Sequence, residues 1–98
     1  MFDLSILLNR IKGDLESYAK SRMNDVARGA ETPELAGLLV QKYGYGLAKA
    51  LQLACELADF PAPSLISEVD RYVANIDPLW RENQIRRFES RPASILVT

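Results

Sequence analysis

The stretch TPELAGLLVQKYGYGLAKALQLACELADF, residues 32–60, decides the fold of this chain. It opens on Thr32-Pro33-Glu34 and runs into Asp59-Phe60-Pro61. Between those marks Ala36, Val40, Tyr43, Leu47, Ala50, Ala54 and Leu57 recur at alternating steps of four and three. That is the period of a helix with one face turned to a neighbour. The Thr32 hydroxyl can accept from a free N–H of the first turn, and Pro33 suits the first helical position, where no hydrogen bond is lost. Gly37, Gly44 and Gly46 each cost roughly 1 kcal/mol relative to alanine in a helix interior. The apolar period keeps its phase across them, so the stretch reads as one helix of about 26 residues with a kink near Gly44 to Gly46.

Beside that seam runs a ladder of small residues, Gly46, Ala50, Ala54 and Ala58, spaced by four. A thin stripe of this kind lets another helix approach closely. The neighbour is either the first helix of the same chain or a second copy. Leu35, Leu38, Leu39, Tyr45, Leu51, Leu53 and Cys55 lie outside the seam, which makes the helix apolar on several sides. Leaving such surface in water forgoes roughly 25 cal/mol per Å², so a partner is its natural cover. The residues expected to carry self-association are Gly46, Ala50, Ala54 and Ala58 with Tyr45.

Upstream, Leu4, Leu8, Ile11, Leu15 and Tyr18 follow the same spacing and predict a first helix from about Leu4 to Arg28, capped by Asp3 and ended at Gly29. Arg10–Asp14, Lys12–Glu16 and Glu16–Lys20 are four apart and read as pairs on a solvated face. The short connection from Gly29 to Thr32 folds two helices of similar length into an antiparallel hairpin. Downstream, Leu65, Ile66, Val69, Tyr72, Val73 and Ile76 predict a third helix from near Ser64. Asp77-Pro78 breaks it and restarts a fourth from Pro78 to about Glu89, with Leu79, Trp80, Ile85 and Phe88 inward. The fold class is therefore all-α: a long antiparallel hairpin plus a Pro-broken third segment, a three- or four-helix bundle completed by dimerisation. Residues 1–92 form one helical domain, and residues 93–98, with Ile95, Leu96 and Val97, favour an extended tail.

The composition narrows the chemistry. The chain has 98 residues, 48% hydrophobic and 26% charged, with a net charge of −1. It holds enough apolar residues for a modest core and lacks the field that draws nucleic acid or anionic lipid. It contains no histidine, which removes a histidine general base, Ser-His and Cys-His nucleophile pairs and histidine-ligated zinc. A single cysteine, Cys55, can form no internal disulfide and fits a reducing compartment, the cytoplasm. The N-terminal residues lack the basic and apolar regions of a signal peptide. No stretch is apolar and long enough to cross a bilayer.

Lys42-Tyr43-Gly44-Tyr45-Gly46 lacks the preceding strand and the Lys-Ser/Thr ending of a phosphate loop, and reads as helix packing. The carboxylates are scattered and make no readable metal or cofactor site, so an enzyme is not expected. One charged feature remains. From residue 78 onward four arginines, Arg81, Arg86, Arg87 and Arg91, face two acids, with Trp80 and Phe88 among them. Asp77–Arg81 and Glu82–Arg86 have the spacing of local pairs. Arg86, Arg87, Arg91 and Trp80 are then the candidates for gripping an acidic protein partner or, as the alternative function, a nucleic acid. The leading expectation is a non-enzymatic helical assembly protein.

Overall fold

The computed structural model describes residues 3–89, the last three by their backbone. It is all-helical, with α1 over Leu4–Ala27, α2 over Pro33–Leu57, α3 over Ile66–Ile76 and α4 over Trp80–Glu89. Arg91 and the expected tail of residues 93–98 lie outside the described residues.

Local chemistry sets each boundary. An Asp3 carboxylate oxygen accepts from the Ser5 N–H at 3.0 Å and the Ile6 N–H at 3.4 Å, capping α1. The Ser5 hydroxyl donates to the same oxygen and, with the N–H groups, holds the Asp3 carboxyl below its ordinary range. At the other end Gly29 takes φ 75°. Its N–H donates to the Val26 carbonyl at 3.0 Å, and that of Ala30 reaches back to Asp25 at 2.9 Å. This pair of bonds closes a helix with a left-handed residue just past the end. The Thr32 hydroxyl accepts from the Leu35 N–H at 3.1 Å and starts α2. The same closing motif ends α2: Asp59 takes φ 59°, its N–H donates to Glu56, and the Phe60 N–H donates to Cys55.

Helix α2 runs unbroken through Gly44 and Gly46, so both glycines are absorbed within one helix and each answers to what lies beside it. A Cβ built on Gly44 would stand 2.5 Å from Val69 Cγ2 and 3.2 Å from Val69 Cβ. A Cβ on Gly37 would stand 3.5 Å from the Trp80 ring. Helix α3 therefore lies against α2 at the point where α2 has no side chain.

The core falls into two groups. Leu15, Ala19, Ala36, Val40, Val69, Val73 and Ile76 are buried together, flanked by Tyr18, Tyr43 and Trp80. Leu51, Cys55 and Leu65 form the second group, with Leu4, Leu8 and Ile11 against them. The start of α1 thus meets the end of α2, as an antiparallel hairpin requires, and Cys55 is a packing thiol buried in that end. Polar links cross the same seams. The Tyr43 hydroxyl donates to Asp14, the Tyr18 and Tyr43 rings stack at 4.1 Å, and Arg22 sits 5.5 Å over Tyr18 while bridging Glu31 at 3.0 Å and Asp25 at 2.7 Å.

Several expectations change. Glu16–Lys20 forms at 3.1 Å, but Lys12 crosses to Glu68 on α3 at 3.7 Å and Asp14 is taken by Tyr43. Part of the face read as solvated is therefore an interhelical edge. Helices α3 and α4 each start two residues later than expected. Asp77 caps the turn before α4, accepting from the Leu79 N–H at 3.2 Å and from the Asn83 amide at 2.8 Å. Buried in that role, it does not form the expected pair with Arg81. Arg86 donates to Asn83 at 2.8 Å. Leu79 and Ile85 were expected inward and are instead 53% and 58% exposed. The reason is that α4 is joined to the rest through its first turn, at Trp80.

Candidate functional site

The largest departure from the expected core sits at the distal end of α2. Leu57 was read as part of the seam, yet it is 92% exposed, and Ala50 is exposed as well. The physical reason is the period. The four-three pattern repeats every 3.5 residues, whereas a straight α-helix turns every 3.6, so such a seam drifts by about 20° per heptad. Three heptads separate Ala36 from Leu57, and over them the drift reaches about 60°. The buried line follows the straight helix, through Val40, Gly44, Leu51 and Cys55. The heptad seam leaves the core and emerges on the surface.

What emerges is a face of its own. Gly46, Ala50, Leu53 and Leu57 stand at steps of four, three and four, within an arc of about 60° at 100° per residue. Leu53 is 48% exposed, and beyond Gly46's own stretch of helix no described atom lies within 4 Å of a Cβ built on it. Lys49 and Glu56, both exposed, border this face on one side, and Glu56 also accepts from Gln52 at 3.2 Å.

The expected association residues are thus brought together in part. Gly46 and Ala50 belong to the exposed face. The ladder advances by about 40° at each step of four, so Ala54 turns away from the exposed face and is half-buried, and Ala58 becomes the residue that caps the end of α2. Tyr45 is about 100° away from Gly46. It lines a separate open groove of about 420 Å³ with Lys49, Gln52, Pro63, Leu65 and Ile66. Leu53 was set aside as surplus apolar surface and turns out to share the face. Its signal was in the sequence: 46, 50, 53 and 57 form a second four-three register beside the first.

The expected arginine site lies largely outside the described residues. Arg86 is exposed and engaged with Asn83, the side chain of Arg87 and all of Arg91 lie outside the described residues, and Trp80 packs its ring edge over Gly37. Trp80 therefore serves the α2–α4 contact; half-buried, it also lines an open groove of about 380 Å³ with Pro78, Leu79 and Arg81. No group of three or more metal-capable side chains occurs among the described residues. No described helix is long and apolar enough to cross a membrane. The chain matches no family model, no curated protein and no solved structure.

Proposed function

We propose that this chain is a non-enzymatic helical assembly protein that self-associates through the outward face of α2, so that a second copy completes its bundle. One observation carries the reading: an outward register of α2 holding two leucines meets solvent, with Leu53 48% and Leu57 92% exposed.

The energetics set the strength. Burying a leucine completely contributes about 2 kcal/mol, and burying a half-exposed one about 1 kcal/mol. Leu53 and Leu57 from two copies then supply about 6 kcal/mol before the cost of association, which is about 4–15 kcal/mol. Close packing at Gly46 and Ala50 adds dispersion. The leucines alone only offset the lower end of that cost, so a weak, reversible oligomer also needs the close packing at Gly46 and Ala50. The arginine-based nucleic-acid reading draws no comparable support, because Trp80 is engaged in packing and the net charge is −1.

Sedimentation equilibrium from about 1 µM to about 1 mM tests the proposal. Mass should rise with concentration, and Leu57→Glu should hold the chain monomeric by placing a charge in the contact. A wild-type chain that stays monomeric at the upper concentration, or a Leu57→Glu variant that associates unchanged, refutes it.

A further inference from the structure

We infer that the two copies cross antiparallel, with Leu57 of each seated on Gly46 of the other and Leu53 on Ala50, flanked by two Lys49–Glu56 ion pairs. This inference rests on the self-association reading and adds the identity, direction and register of what covers the face.

Two independent patterns lead to it. The first is size. Along α2 the exposed positions read small, small, large, large: Gly46, Ala50, Leu53, Leu57. A two-fold axis between Ala50 and Leu53 reverses that order on the partner, so every layer pairs a large residue with a small one. A parallel pair would place Gly46 on Gly46 and Leu57 on Leu57, leaving a gap at one end and crowding at the other. An isologous contact must be self-complementary under its two-fold axis, and the antiparallel order is. Gly46 is open to receive a side chain, with no described atom beyond its own stretch of helix within 4 Å of its built Cβ.

The second pattern is charge. On the flank of the face, Lys49 stands one residue before Ala50 and Glu56 three residues after Leu53. In an antiparallel crossing these two positions come together, so Lys49 meets Glu56 of the partner subunit, once on each side of the axis. In a parallel pair the flanking position opposite Lys49 is Ala54, and the one opposite Glu56 is Pro61, neither of which carries charge. Opposite charges at paired flanking positions set helix direction as well as adding attraction.

Cross-linking of the full chain separates the orientations. Gly46→Cys and Leu57→Cys chains of distinguishable mass are mixed in equal amounts and oxidised. Both sites tolerate substitution in the monomer, being open and 92% exposed respectively. The buried native Cys55 should leave wild type unlinked. The antiparallel crossing yields the mixed disulfide. Self-linked products stay scarce, because two copies of either position lie about 16 Å apart along the helices, beyond the roughly 7 Å Cα limit of a disulfide. Predominantly self-linked products overturn the antiparallel assignment while leaving association intact. A dimeric mass without either product moves the interface elsewhere and overturns it too. A monomeric wild type removes the proposed function itself.

Charge reversal gives a second readout that leaves the layers untouched. Lys49→Glu alone should weaken the dimer at low salt by about fivefold or more, and Lys49→Glu with Glu56→Lys should restore it. Failure of the double variant to recover overturns the register.

Discussion

Replacing Gly44 with alanine sets two effects of known sign against each other. Alanine in a helix interior is favoured over glycine by about 1 kcal/mol. The new Cβ, however, would stand 2.5 Å from Val69 Cγ2, 2.9 Å from Cγ1 and 3.2 Å from Cβ. Turning the Val69 side chain relieves the first two contacts at best, since the third atom is fixed to the α3 backbone. Helix α3 must then move, and with it the buried Val73 and Ile76. Overpacking of this kind costs about 1–3 kcal/mol. The net expectation is a loss of about 1 kcal/mol, or a fall in Tm of about 4–8 °C for a chain this size. Gly13→Ala is the internal control. It has the same propensity gain and nothing within 4 Å of its built Cβ, so it should stabilise by about 1 kcal/mol. Thermal and urea melts followed by circular dichroism, at concentrations where the chain is monomeric, would show the two alanines moving in opposite directions. Adding Val69→Ala to Gly44→Ala should reveal a coupling above about 0.5 kcal/mol. If both glycine variants stabilise equally and no coupling appears, α3 does not lie on Gly44 and the packing described above is wrong.

Other outcomes follow from single contacts. The Tyr43 phenol is held above its ordinary pKa of 10.0, first by donating to Asp14 and then by burial. Its contribution is therefore complete below pH 10 and is lost as pH rises from 10 through the folded value. Tyr43→Phe should cost about 1 kcal/mol at neutral pH, and the gap to wild type in alkaline urea melts should close; a gap that is constant with pH refutes the assignment. Asp59 adopts φ 59° at the end of α2, a conformation that glycine accepts without a Cβ penalty. Asp59→Gly should raise stability by about 0.5–1 kcal/mol, a small rise in Tm, and a fall would mean the aspartate side chain matters more than its backbone. Arg22→Met keeps the aliphatic stem but leaves Glu31 without its bridge and Asp25 with Arg28 alone. It should destabilise by about 1–3 kcal/mol in chemical melts, whereas an unchanged midpoint would show the network contributes nothing.

Helix existence and most caps were legible because their causes are local. Asp3, Thr32-Pro33 and Gly29 act on N–H and C=O groups within a few residues, and Asp77-Pro78 interrupts a helix by its own covalent structure. The partners of individual side chains were not legible, because they depend on how helices rotate about their axes. Lys12 has an acid four residues along its own helix and chooses Glu68 on another. Gly44 and Gly46 are indistinguishable by spacing, yet one lies against Val69 and the other is open. The exposed face was half visible: its small members were named, but Leu57 was assigned inward because a heptad repeat was followed along a helix whose buried line keeps the 3.6-residue period.

The two registers on α2 place different selective pressures on neighbouring residues of one helix. Val40, Gly44, Leu51 and Cys55 are constrained by the monomer's interior, whereas Leu53 and Leu57 can change without disturbing it. Surface substitutions of this kind alter folding by about 0.5 kcal/mol or less. Under the proposed association, a descendant could therefore lose, strengthen or redirect that contact by a few changes at residues 46, 50, 53 and 57 while keeping the same tertiary structure, and paralogues could diverge in partner choice before they diverge in fold.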